Sequence, residues 1–165
     1  MSVISVIHFL HNPLLILYPV LISNPIFDLL YIKYFFATMF SYTFFNGECP
    51  VSFIYKRIMD SNYLAGDRID DYDEIYMVWP NRIFVQQYLI ATTGLYGCSL
   101  LYTMYRINIS PAFVTGMSLF VLLYLSGIKE VYFSRQNIIF KISQNLLRFC
   151  FLFAFLFVEV YILDL

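Results

Sequence analysis

The chain has 165 residues, of which 61% are hydrophobic and 21% aromatic, and only 13% carry a charge. An ordinary soluble domain carries about 25% charged residues, so this composition excludes such a domain and predicts a single membrane domain over residues 1–165. The net charge of −1 offers no basic surface for nucleic acid. Cys49, Cys98 and Cys150 are too far apart for a zinc motif or a disulfide framework.

Two apolar segments open the chain and are joined by the turn "SNP". The first segment runs over residues 3–22 and the second over residues 26–45, so residues 3–45 are predicted to form a helical hairpin. Pro13 and Pro19 lie inside the first segment and predict a kink or a late start of that helix. The opening residues carry no Lys or Arg and no small-residue cleavage site follows them, which argues against a removable signal peptide.

The third stretch, residues 46–82, is the one sizeable extramembrane piece, and it opens with "NGECPVSFIYKR". Its first two residues favour a turn that ends the second helix, and the proline suits the first position of a new helix. A carboxylate just before that start interacts favourably with the positive end of the helix. The motif is therefore predicted to be a structural turn and helix start, made of Asn46, Gly47, Glu48, Cys49, Pro50, Ser52 and Lys56.

The helix that follows, residues 50–60, has an apolar face and a basic face. Val51 and Ile54 belong to the apolar face, and Ser52 and Lys56 to the opposite one. This pattern is typical of an amphipathic helix at a membrane surface, with its apolar side toward lipid and its basic side toward the headgroups.

Two further groups of polar residues are weighed as metal sites. Residues 67–74, "DRIDDYDE", contain five acids but lack the order and the central glycine of an EF-hand, so they predict a solvated or partner-facing loop. His8 and His11 are spaced to share one face of the first helix, yet two ligands do not make a site. No metal and no cofactor is predicted.

Three more apolar segments complete the chain, at residues 83–104, 111–128 and 138–162. Residues 83–162 are thus predicted to form a three-helix membrane segment. With the hairpin they make an all-α integral membrane protein, a bundle of four or five transmembrane helices with one short amphipathic interfacial helix. Five spans result if the first segment crosses the bilayer, and four if it is re-entrant.

Basic residues are distributed unevenly between the two sides of the predicted bundle. With five spans, eight of the ten Lys and Arg residues fall on the side of the 46–82 loop. The positive-inside rule therefore predicts that this loop is cytoplasmic. The predicted spans contain no row of acids or arginines, which argues against a proton relay, an ion-coupled transporter or a voltage sensor.

The stretches "HNPLLILYPVL", "NGECPVSFIYKR" and "NYLAGD" together resemble a family of small multi-spanning membrane proteins of nucleocytoplasmic large DNA viruses. That family carries an "NEC"-type motif, with a Ser and a Lys, after its second span. The resemblance covers residues 8–67 and departs from the family at Gly47 and at "SYTFF", where a His-Trp pair is expected. It implies a viral membrane protein and supplies no mechanism; the matching positions are Asn46, Glu48, Cys49, Ser52 and Lys56.

Three functions follow as hypotheses. The first is a structural or assembly component of a membrane, in particular the inner membrane of a large DNA virus. The second is an accessory subunit of an organellar membrane complex. The third is a small membrane enzyme that uses Glu48 and Cys49. The expected partners are the lipid bilayer and other membrane or capsid proteins, with a homo-oligomer also open and no nucleic acid.

The structural hypothesis is favoured, and with it a protein that is not an enzyme. A helix start accounts for most of the motif, whereas the motif itself contains no histidine or second acid that would activate a thiol. If this interpretation is right, Glu48→Gln costs only a fraction of a kcal/mol, because about 0.3–1 kcal/mol is typical of a surface carboxylate at a helix end.

Overall fold

The computed structural model describes residues 3–68, 72–119 and 138–163. Within these residues the chain is helical and has no strand, so the predicted all-α class is confirmed. The helices are α1 (Val3–Leu21), α2 (Pro25–Phe44), α3 (Pro50–Met59), α4 (Asp73–Tyr76), α5 (Arg82–Arg106), α6 (111–119) and α7 (Ile138–Leu163).

The two opening helices, α1 and α2, lie where the first two apolar segments were predicted and are joined at the "SNP" turn. Asn24 caps α2: its side-chain oxygen accepts hydrogen bonds from the N–H groups of Ile26 at 3.0 Å and Phe27 at 3.3 Å. α1 is already helical at Val3 and contains both of its prolines. Of the two expectations for these prolines, the late start is therefore wrong.

The later segments agree with the prediction as far as they are described. α5 and α7 lie where the third and fifth apolar segments were expected. Of the fourth predicted segment, 111–128, residues 111–119 are helical and the remainder lies outside the described residues. The short helix α4 was not predicted.

α2 is the central helix of the bundle. It packs against α5 and α7, and α5 packs in turn against α1. Phe113 of α6 stacks on Phe157 of α7, with ring centroids 4.4 Å apart. The buried core is drawn mainly from α2, α5 and α7 and contains Leu29, Ile32, Phe35, Phe36, Met39, Tyr96, Leu100, Met104, Leu147, Phe151, Ala154 and Val158.

Three helix termini meet at one end of the bundle, which we call the Arg106 end. Arg106, the last residue of α5, forms an ion pair with Asp28 in the first turn of α2. Its guanidinium also donates hydrogen bonds to the carbonyl oxygens of Pro19, at 2.7 Å, and Ile22, at 2.9 Å, where α1 ends. These bonds satisfy carbonyl groups that a helix terminus leaves unpaired. The opposite end, which carries α3 and α4, is called the Cys49 end.

Among the described residues, α1 is the one helix that is long and apolar enough by composition to cross a membrane. It has 19 residues and a mean hydropathy of 1.6, and only 11% of its apolar stretch is buried inside the protein. Signal sequences near an N-terminus can have the same length and composition. The bundle of four or five spans stays a prediction.

Candidate functional site

A tight turn delivers Cys49 to the start of α3. Asn46 and Gly47 have positive φ angles of 54° and 86°, a left-handed conformation that ends α2. The Gly47 N–H donates to the carbonyl oxygen of Tyr42 at 2.9 Å, which fixes the turn. Cys49 then occupies the N-cap position of α3, with Pro50 at the first helical position as predicted. A thiol at a helix N-terminus is placed where the helix dipole favours the thiolate.

The Cys49 thiol is the first member of a hydrogen-bonded relay that spans three helices. Its Sγ atom lies 3.2 Å from Nε2 of His8 on α1. The other ring nitrogen of His8, Nδ1, lies 3.0 Å from Oε1 of Glu74 on α4. The same carboxylate oxygen accepts a hydrogen bond from the Ser52 hydroxyl. A nucleophile, an imidazole and an orienting carboxylate are therefore lined up in the order that thiol-dependent enzymes use.

The relay favours the charged form of both acidic groups. Burial on its own would raise the pKa of the Cys49 thiol, but the hydrogen bond from His8, the charge of His8 and a hydrogen bond from the Tyr42 side chain outweigh it. The pKa of Cys49 therefore lies below its ordinary value. Burial would likewise raise the pKa of Glu74, and the hydrogen bonds from His8 and Ser52 lower it below its ordinary value. Both shifts favour a thiolate and a carboxylate on either side of an imidazolium.

Access to the relay differs between its members. The Cys49 residue is partly exposed, whereas the Glu74 side chain is fully buried and that of His8 is 11% exposed. The buried groups hold the orientation of the imidazole, and the cysteine residue beside it is partly exposed. This is the exposure pattern expected of a reactive cysteine.

A second buried cluster lies directly beside the relay. The Glu48 carboxylate accepts hydrogen bonds from Lys56 Nζ at 2.8 Å, from the Tyr63 hydroxyl at 2.7 Å and from the Gly66 N–H at 3.0 Å. The side chains of Glu48 and Lys56 are each only 1% exposed. Lys56 Nζ also donates to the carbonyl oxygen of Arg68. This cluster clamps the loop of residues 60–68 onto α3, and so holds the helix whose first residue follows Cys49.

The loop approaches the turn so closely that only a glycine fits. Gly66 has a φ of +90°, and a Cβ atom there would lie 2.8 Å from the Cβ atom of Asn46. The Asn46 side chain donates to the carbonyl oxygen of Ala65 at 2.9 Å. Asn46 therefore serves both as the turn residue that was predicted and as an anchor for the loop.

The predicted environment of the polar face of α3 and the predicted role of Glu48 are wrong. Ser52 and Lys56 were expected on a face toward lipid headgroups, yet both are buried, because they bond to carboxylates inside the protein. The apolar side chains of Val51 and Ile54 are exposed, at 40% and 53%, which agrees with the prediction that this face lies away from the protein. Glu48 was expected as a surface partner of the helix end, and it is in fact the centre of a buried ion pair.

The structure also separates residues that were considered together. The Nε2 atom of His11 lies 2.6 Å from the Tyr34 hydroxyl, whereas His8 belongs to the relay. Of the acidic run, Glu74 turns inward to His8, and Asp70 and Asp71 lie outside the described residues. No group of three potential ligands in the described parts of the chain is arranged to hold a metal ion. The relay itself is unsuited to metal binding, because both ring nitrogens of His8 are bonded to other side chains and the ring lies between the thiol and the carboxylate.

A cavity of about 490 Å³ opens on the far side of α3. Its lining comes from α3, the loop after it and the region of α4, and consists of Tyr55, Lys56, Met59, Asp60, Arg68, Asp73 and Met77. Neither Cys49 nor His8 lines this cavity.

Sequence reasoning missed His8 and Glu74, the two residues that give Cys49 its chemistry. They are separated from Cys49 by 41 and 25 positions, so no short motif joins the three. One signal was present: an ionisable side chain within an apolar segment is a functional candidate by default. That rule, applied to His8 without the search for a shared metal, would have marked it.

Comparison with protein-family models, curated proteins and solved structures found no match. The resemblance to a family of large DNA virus membrane proteins stays a prediction.

Proposed function

We propose that the protein is a membrane-bound enzyme that transfers acyl groups through a thioester on Cys49. The observation that carries this proposal is the relay Cys49–His8–Glu74, with its two distances of 3.2 Å and 3.0 Å. Each ring nitrogen of His8 has a separate partner, so the carboxylate fixes the ring while Nε2 serves the thiol.

In the first half-reaction the Cys49 thiolate attacks the carbonyl carbon of an ester. The tetrahedral intermediate collapses, the carbon–oxygen bond to the alcohol breaks, and the leaving oxygen takes the proton from Nε2 of His8. In the second half, His8 accepts a proton from water, the hydroxide attacks the thioester, and the carbon–sulfur bond breaks to restore the thiolate. Negative charge on the carbonyl oxygen develops beside the positive end of α3, which stabilises it.

Acyl transfer accounts for the relay better than thiol–disulfide exchange does. Exchange within one chain requires a second cysteine close to the first. Cys98 lies 16 residues into α5, about 24 Å from the start of that helix at the Cys49 end. Cys150 is a free thiol in the structure, as Cys49 is. An imidazole held by a carboxylate is, by contrast, what a leaving alcohol needs as a proton donor.

The membrane setting of the proposal is supported by exposed apolar surface. Beside α1, helices α5 and α7 have 25 and 26 residues, which is more than the ~20 needed to cross a bilayer. They expose large apolar side chains such as Ile90, at 75%, and Phe149, at 72%. With five spans, the excess of basic residues in the loops favours a cytoplasmic Cys49 end.

The structural role favoured by the sequence is retained as the competing hypothesis. The buried Glu48–Lys56 pair suits an assembly component of a viral or organellar membrane equally well, because it fixes a loop whatever the loop does. A structural role gives no reason to place an imidazole between a thiol and a carboxylate. The two hypotheses therefore differ in what they predict for His8.

A soluble activated ester distinguishes the two hypotheses. The purified protein, with Cys98 and Cys150 replaced by Ser, is mixed with p-nitrophenyl acetate, and release of nitrophenol is followed together with acetylation of Cys49 by mass spectrometry. We expect His8→Gln to slow acetylation by about 10²–10⁴-fold. His11→Gln is the matched control, since His11 lies on the same helix and bonds to Tyr34 instead. Equal rates in the two histidine variants would leave only the structural role.

A further inference from the structure

The helices α1 and α3, which contribute His8 and the segment that begins after Cys49, both expose apolar side chains. On α1, the turn before His8 exposes Ile4 at 39% and Ile7 at 61%. On α3, Val51, Ile54 and Ile58 recur at helical spacing and are 40%, 53% and 71% exposed. Both helices next to the relay thus present aliphatic side chains away from the protein, and α1 has the length and composition of a helix that crosses a bilayer.

A bilayer crossed by α1 would place the relay near the boundary between headgroups and acyl chains. His8 lies five residues after Val3, the first residue of α1, which is about 7.5 Å along the helix axis. Cys49 is at the same level because it bonds to His8. Interfacial helices bury their apolar faces by about 5–10 Å, at the headgroup–acyl boundary. The ester carbonyls of membrane lipids lie at that boundary.

The basic side chains nearest the thiol are engaged within the protein. Lys56 is paired with Glu48, and Arg57 donates to the carbonyl oxygen of Tyr63 at 2.8 Å. Lys56 and Arg57 hold the 60–68 loop through these bonds. An acyl donor recognised through a polyphosphate headgroup would have to break them to reach a positive charge. A donor recognised through its acyl chain meets no such competition.

Resting on the acyl-transfer function proposed above, we infer that the acyl donor is a glycerolipid ester of the bilayer, which reaches Cys49 laterally between α1 and α3. The Cys49 thiolate attacks the lipid ester carbonyl, the bond to the glycerol oxygen breaks, and that oxygen takes the proton of His8. The products are a lysolipid and a long-chain acyl thioester on Cys49, which water then hydrolyses to a fatty acid. The acyl chain packs along Ile7 and Ile54.

The inference is tested in vesicles of dipalmitoyl phosphatidylcholine that contain the full chain. Palmitoylation of Cys49 and release of lysolipid are measured by mass spectrometry, and hydrolysis of p-nitrophenyl acetate is measured in parallel. For the variant Ile7→Ala/Ile54→Ala we expect the rate with lipid, divided by the rate with acetate, to fall about tenfold, as for a lost aliphatic contact in a specificity pocket. Leu14→Ala/Leu17→Ala, which removes exposed aliphatic side chains farther along α1, is the matched control and should leave this ratio unchanged.

The outcomes separate the inference from the function on which it rests. Palmitoylated Cys49 and a ratio that falls only in the first variant support the lipid donor. If Cys49 accepts acetate but is acylated only by added palmitoyl-coenzyme A, or if the two double variants behave alike, the lipid donor is overturned and the acyl-transfer function stands. If no donor acylates Cys49, both are overturned.

Discussion

Removing the charge of Glu48 should destabilise the fold far more than a surface helix-end carboxylate would. Glu48→Gln leaves the Lys56 ammonium without its carboxylate at a position where each side chain is 1% exposed. Breaking a buried ion pair by removing one partner typically costs about 3–5 kcal/mol, because the remaining charge stays buried and uncompensated. For a chain of this size, 1 kcal/mol corresponds to roughly 2–4 °C in Tm, so the expected loss is on the order of 10 °C.

The measurement is the thermal loss of helical circular dichroism in detergent micelles, for the wild type and three variants. Glu48→Gln/Lys56→Met should recover part of the lost Tm, because the double variant no longer buries a lone charge. Asp60→Asn replaces an exposed acid at the end of the same helix and should melt with the wild type. A Glu48→Gln protein that melts within about 2 °C of the wild type would refute the buried pair and restore the surface role predicted from sequence.

Three further predictions concern the loop, the pH dependence of stability and the Arg106 end. Gly66→Ala should lower Tm, because the new Cβ would meet Asn46 and the φ of residue 66 is +90°. A Cβ at Gly94 would have no neighbour within 4 Å, so Gly94→Ala should leave Tm unchanged; equal melting of the two variants would contradict the close approach of the loop to the turn. The pKa of Glu74 is lower in the folded protein than in the unfolded chain. The carboxylate therefore stabilises the fold fully above the unfolded pKa of about 4.3, and this stabilisation is lost as pH falls through the folded pKa. Glu74→Gln should flatten the acid side of a plot of Tm against pH, and an unchanged acid side would contradict the bonds proposed for Glu74. Asp28→Asn should lower Tm because it breaks the pair with Arg106. It should leave alkylation of Cys49 unchanged, since His8, which bonds to Cys49, and Pro19, which bonds to Arg106, are about 16 Å apart along α1; slower alkylation would show that the ends are coupled.

Much of the architecture could be predicted from the sequence, because long apolar runs and their breakers act locally. The "SNP" turn gives Asn24 as the cap of α2, and Pro50 begins α3 as expected. These features depend on residues within a few positions of one another, so no knowledge of the tertiary fold is needed to find them.

The site could not be predicted in the same way, because its members meet only through tertiary packing. His8 and Glu74 belong to helices that the sequence does not visibly connect, and α4 itself has only four residues. The prediction that the polar face of α3 meets the headgroups failed for a related reason. An amphipathic pattern shows that two faces differ, but the polar face here turns toward buried partners, Glu48 and Glu74, rather than toward water.

The most direct test of the account is the pH dependence of Cys49 alkylation in a protein whose other two cysteines are Ser. With iodoacetamide, we expect the rate to rise with pH to a plateau whose midpoint lies below that of a free thiol. Hydrogen bonds from His8 and Tyr42 and the charge of His8 lower the pKa of Cys49 more than burial raises it. His8→Gln should move the midpoint up to about 8.5, the value of a free thiol, and His11→Gln should leave it unchanged. A wild-type rate that climbs tenfold per pH unit up to about 8.5, and that His8→Gln does not alter, would contradict the thiolate–imidazolium pair on which the proposed function rests.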